Sequence, residues 1–259
     1  MSKILIGSAG LGSPAIEGLR LIHSLKLNAA EIEFVRGIYL DTDKAKKIGK
    51  EAEKLDIALS IHAPYYINLA SEEKSKIVAS KKRLFDSCKI GYYLNANYVV
   101  FHPAYYGKMS KEDVYELVKY AVLEIQDALN EEGYSNVKLC PETTGKISQF
   151  GNIDELVKLS KETNCGLCVD FAHIYARNLG KIDYDYVCKS IKNIKFLTAH
   201  FTGIVFGPKG ERHHKETEPE RAKELLGYLK KYDINIRIIN ESPQPVEDAL
   251  MMKKIPEEI

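Results

Sequence analysis

The run Gly166-Leu167-Cys168-Val169-Asp170-Phe171-Ala172-His173 reads as a short buried strand that delivers an aspartate, and three residues later a histidine, into a turn. A carboxylate and an imidazole so placed can each aim a lone pair into one pocket. Alone, Asp-x-x-His more often marks an ordinary turn beside a buried histidine. Its weight comes from the rest of the chain, where an apolar run ending in His, Glu or Arg recurs.

Working outward, short β-branched runs at 3–7, 30–34, 58–61, 98–101, 137–140, 166–169, 196–199 and 234–240 alternate with longer amphipathic stretches. Pro14 opens a helix, Asp43 begins a charged one, and Ser110 caps another with Asp113 three residues on. Eight strand-then-helix units with no linker between them predict an α/β fold, a single (β/α)₈ TIM barrel spanning 1–259, whose site lies at the C-terminal strand ends. His62, His102, Glu142, Asp170, His200 and Glu241 all fall at such ends, whereas His23 sits in a helix and reads as a surface residue.

Composition narrows the class. The 259 residues are 45% apolar, enough for a large core, and the net charge of +1 argues against a simple basic clamp for nucleic acid. It does not exclude a phosphate substrate, because bound metal would add positive charge that the count omits. Five cysteines without framework spacing, a start at Met1-Ser2-Lys3-Ile4-Leu5 that enters a strand at once, and no long apolar stretch predict a soluble cytoplasmic protein without a membrane segment.

His, Asp and Glu are the ligand types of zinc, manganese or iron in hydrolytic or Lewis-acid sites. Cys165 and Cys168 fall on opposite faces of one strand, so they read as core packing. The loop after the seventh strand carries Glu211-Arg212-His213-His214 and emerges at the ligand-rich mouth; Glu211 and His213, two apart, can bite one ion together.

Seven ordered motifs then resemble the endonuclease IV family of metal-dependent apurinic/apyrimidinic endonucleases: Ser60-Ile61-His62, Phe101-His102-Pro103, Pro141-Glu142-Thr143-Thr144-Gly145, Val169-Asp170-Phe171-Ala172-His173, Ala199-His200, Arg212-His213-His214 and Glu241-Ser242. The resemblance implies three divalent ions, zinc first, with manganese or iron as alternatives. His62 and His102 would hold the first, with Glu142 bridging to a second completed by Asp170, His200 and Glu241. His173, Glu211 and His213 would hold the third. Glu211 stands where the family usually has Asp, and Phe201-Thr202-Gly203 departs from the polar sequence usual after the histidine.

The same resemblance implies hydrolysis of the phosphodiester 5′ to abasic sites in double-stranded DNA, with 3′-end trimming, by a monomer. Glu241 and Glu142 would orient or deprotonate the nucleophile. Arg36, Tyr65 and Tyr66 would hold open the flipped site, with Lys209 and Arg212 on phosphates. Four ligand carboxylates against three divalent ions would leave the filled mouth positive. Two alternatives stay open: a single-metal sugar isomerase or epimerase of the same superfamily, using Glu142, Asp170, His200 and Glu241 alone, and a non-catalytic binder of abasic DNA.

Overall fold

The computed structural model describes residues 3–255; Met1 and Ser2, part of the expected start, lie outside them. Eight parallel strands form one sheet: β1 (Ile4–Ala9), β2 (Ala29–Glu33), β3 (Ala58–His62), β4 (Tyr98–Phe101), β5 (Lys138–Pro141), β6 (Leu167–Asp170), β7 (Leu197–Phe201) and β8 (Ile236–Asn240). Their spatial order is β5-β4-β3-β2-β1-β8-β7-β6. The ring closes between β5 and β6, where Gly166 N–H donates to Leu139 O at 2.8 Å and Thr143 N–H to Cys168 O at 3.1 Å. A nearly closed barrel of this kind is the fold that the alternating pattern predicts.

Each strand is followed by helix: α1 (Ala15–Ser24), α2 (Thr42–Lys54), α3 (Lys74–Leu94), α4 (Lys111–Glu131), α5 (Ile153–Thr163), α6 (Phe171–Arg177), α7 (Tyr184–Ile191), α8 (Pro219–Lys231) and α9 (Pro245–Lys254). Their starts are fixed by local chemistry. Asp41 accepts from Lys44 N–H, Ser110 from Asp113 N–H, and Asn152 forms a reciprocal box with Glu155. Among the described residues no helix is long and apolar enough to cross a membrane.

Period-two alternation sorts the strand residues into two environments. Ile32, Phe34, Leu59, Ile61, Val99, Phe101, Leu139, Val169, Ala199 and Ile238 join the core between sheet and helices. Val100, Cys140 and Cys168 instead form a small separate cluster with Tyr98, inside the barrel. Cys165 belongs to the outer core, so the two cysteines do take opposite faces, and burial pushes the Cys168 thiol well above its ordinary pKa. The inward register continues upward two residues at a time: Val100 leads to His102, Cys140 to Glu142, Cys168 to Asp170. That step places the polar side chains at one mouth.

Candidate metal centre

Asp170 explains the spacing of the motif that carries it. It is the N-cap of α6, its Oδ1 accepting from His173 N–H at 2.6 Å, so the histidine three residues on turns back over the same mouth. The other oxygen, Oδ2, is buried and has no hydrogen-bond partner.

Glu142 lies at the centre. Its Oε2 is 3.2 Å from His62 Nε2 and 2.9 Å from His102 Nε2, and its Oε1 is 3.1 Å from His200 Nδ1 and 3.3 Å from His173 Nδ1. Burial opposes its ionisation, yet the imidazoles of His102, His200 and His173 hold its carboxyl well below the usual carboxylate range. His62 shows the reciprocal effect: burial opposes its charging, but Glu142 and Glu33 push it up to about 10. Glu241, 3.3 Å from His200 Nδ1, is pushed up to about 8 by burial and by the neighbouring carboxylates Glu142, Glu33 and Asp170, against the pull of His200.

A protonated, mutually paired cluster of this kind is what a ligand set becomes when protons stand in for cations. Among the described residues five sets have donor atoms within 4.8 Å of one another: His62, His102 and Glu142; Glu142, Asp170, His200 and Glu241; Asp170, His173 and His214; Glu142, Cys168 and His200; and Glu31, Glu33 and Glu241. The hard and borderline N and O donors, and the orphaned Asp170 oxygen, fit divalent zinc, manganese or iron.

The third set differs from expectation. Glu211 Oε2 comes within 3.4 Å of His173 Nε2, but the histidine beside it is His214, with ring centroids 5.6 Å apart, and His213 is exposed. The cause is a β-bulge. In the antiparallel ribbon of Gly203–Gly207 with Gly210–Lys215, Phe206 faces Glu211 and Val205 faces His213, so Arg212 is an extra residue. The insertion shifts the alternation and puts Glu211 and His214, not His213, toward the mouth. The ribbon is docked there by Glu211 N–H donating to Gly145 O at 2.9 Å. Gly145 is needed for that approach, since a Cβ on it would lie 2.6 Å from Glu211 Cβ. His214→Ala should therefore lower the ions bound per chain, measured by elemental analysis, while His213→Ala leaves the count unchanged; the reverse outcome would restore His213 as the ligand.

Arg36, Tyr65 and Tyr66 are exposed on the loops after β2 and β3, which Tyr65 N–H joins by donating to Val35 O at 3.1 Å. Lys209 and Arg212 are exposed on the ribbon. Two residues were not anticipated. Glu31 and Glu33 point inward from β2, Glu31 fully buried with its Oε1 2.8 Å from His200 Nε2, and Glu33 grouped with Glu31 and Glu241. Burial, with Glu31 nearby, pushes Glu33 up to about 7. They raise the carboxylates about the mouth from four to six, so three divalent ions would bring the pocket close to neutrality rather than to a clear positive charge.

A profile of the xylose isomerase-like TIM barrel family matches residues 19–200. The chain is 39% identical to an uncharacterized protein of Methanocaldococcus jannaschii, over 97% of this chain and 96% of that one. It is 25% identical to a probable endonuclease 4 of Mesomycoplasma hyopneumoniae, over 82% and 81% respectively. Among solved structures, endonuclease IV from Thermus thermophilus superposes with a TM-score of 0.71 at 20% identity, covering 99% of this chain and 100% of that one. A D-tagatose 3-epimerase-like protein gives 0.73 at 19%, covering 99% and 96%.

Proposed function

The chain belongs to the xylose isomerase-like TIM barrel family, and we propose that within it this protein is a metal-dependent endonuclease that cuts double-stranded DNA 5′ to abasic sites, leaving a 3′-hydroxyl. The observation that carries this reading is the pair His62 and His102, both against Glu142 Oε2, together with the separate set around His173. A single-ion epimerase would use Glu142, Asp170, His200 and Glu241 and would have no need of these further donors.

In this reading His62, His102 and Glu142 would hold one ion, Glu142, Asp170, His200 and Glu241 a second, and Asp170, His173, Glu211 and His214 a third. Divalent ions there would make hydroxide available at neutral pH and stabilise charge on the leaving oxygen. Glu241, partly open to the mouth, orients or deprotonates the attacking water. Tyr65, Tyr66 and Arg36 enter the stack where the abasic nucleotide leaves it, and Lys209 and Arg212 contact backbone phosphates.

The test is incubation of the purified protein with a duplex carrying one abasic analogue, in zinc or manganese, with and without chelator, alongside His102→Ala. One nick 5′ to the lesion is expected, lost to chelator and weakened in the variant. A chelator-resistant nick or an unaffected variant would overturn the mechanism. The similarity to epimerases makes a sugar epimerase the rival reading. It is distinguished by ion content: about one per chain for the epimerase, about three for the nuclease.

A further inference from the structure

Building on the metal-site reading above, we propose that Glu31 is a positioning residue that holds the His200 ring with its proton on Nε2 and its Nδ1 lone pair turned into the ligand set. Three of the histidines around the mouth share one arrangement. His62, His173 and His214 each set Nδ1 against a backbone carbonyl: Ala63 O at 2.8 Å, Thr143 O at 2.9 Å and Glu241 O at 3.1 Å. A carbonyl only accepts, so those rings carry hydrogen on Nδ1 and leave Nε2 free for a cation.

His200 is reversed. Its Nδ1 lies among the donors, hydrogen-bonded to Glu142 Oε1 at 3.1 Å and 3.3 Å from Glu241 Oε1, while Nε2 lies 2.8 Å from Glu31 Oε1, an ion-pair contact not aligned as a hydrogen bond that is the nearest acceptor for a proton on Nε2 once Nδ1 ligates. Both side chains are fully buried, so a solvent partner cannot substitute for the carboxylate. A ligating imidazole whose second nitrogen meets a carboxylate is fixed in tautomer and orientation and becomes the more basic ligand.

The carboxylate needs support to stay charged in the barrel interior, and the imidazoles of His200, 2.8 Å away, and His62 provide it. Glu31 thus sits beneath the ligand set with its carboxylate against His200. Nothing in the strand-end pattern marks it, because Glu31 lies two residues below the mouth.

Two measurements test the role. In histidine-labelled wild-type protein loaded with zinc, a long-range proton–nitrogen spectrum should show the His200 ring protonated on Nε2 and those of His62, His173 and His214 on Nδ1. Every bound ring protonated on Nδ1 would overturn the proposal. In titrations with zinc, Glu31→Ala should weaken one site by roughly 10–100-fold and spare the others, whereas Glu31→Gln, which keeps an acceptor oxygen, should stay within about threefold of wild type. With cobalt as the probe, the visible absorption of that site should change in Glu31→Ala, which loss of packing alone would not cause. Wild-type affinities and an unchanged cobalt spectrum in Glu31→Ala would overturn the positioning role and leave the ligand set intact. A wild-type protein that binds no ion would overturn both.

Discussion

Replacing Glu142 with alanine is expected to lower nicking at an abasic site by on the order of 10³-fold or more, beyond the roughly 10–100-fold typical of an outer partner of a ligand. The purified variant should also lack two of the three ions that the proposed centre would hold. The reason is placement: Glu142 is 1% exposed and its two oxygens meet His62, His102, His173 and His200 between 2.9 and 3.3 Å. It alone joins the first set to the second. Alanine also leaves a group of buried imidazoles without their counter-charge, so Glu142→Gln, which keeps the volume, is the companion variant. It should fold and show the same loss of ions. Were Glu142 only a general base, worth about 10²–10⁴-fold, nicking would fall while the ion count stayed whole. A full complement of ions with nicking near the wild-type level would remove the ligand role altogether.

How much of this was legible in the sequence depends on how local each determinant is. His62, His102, Glu142, Asp170, His200 and Glu241 could be read because each follows an apolar strand directly, and the barrel gathers strand ends without further instruction. Glu31 and Glu33 also obey a visible rule, the alternation Ala30-Glu31-Ile32-Glu33-Phe34. Polar residues at every second position of a strand ordinarily face solvent, however, and only closure of the barrel turns that face inward. His213 and His214 could not be separated locally. Adjacent strand residues point opposite ways, and which of the two meets His173 is set by the extra residue Arg212 in register with Val205 and Phe206, a pairing made across the turn.

The second large effect is on stability, and its sign follows from where protons sit when cations are absent. His62 is raised from 6.5 to about 10, so its share of stability is fully present below pH 6.5 and is lost as pH rises through about 10. Glu33 and Glu241, raised from 4.5 to about 7 and about 8, act in the same direction: the folded chain holds protons that the unfolded chain has released, and stability falls between pH 4.5 and about 8. Glu142 and Glu31 are lowered, so their contribution is present above pH 4.5 and is lost in acid. The metal-free protein should therefore be most stable near pH 4.5 and weaken steadily toward pH 9, more steeply above about pH 6.5 where His62 adds its share. Each extra proton retained costs about 1.4 kcal/mol per pH unit. Cations reverse this, since ligands must be deprotonated to bind and affinity rises with pH. The difference in Tm between loaded and metal-free protein should widen from about pH 6.5 to 9 by on the order of 10 °C, taking about 2–4 °C per kcal/mol for a chain of this size. Thermal denaturation across that range, with and without zinc, measures it directly. A metal-free Tm that stays level or climbs with pH would mean that the carboxylates and imidazoles at the mouth do not share protons in the way their packing requires.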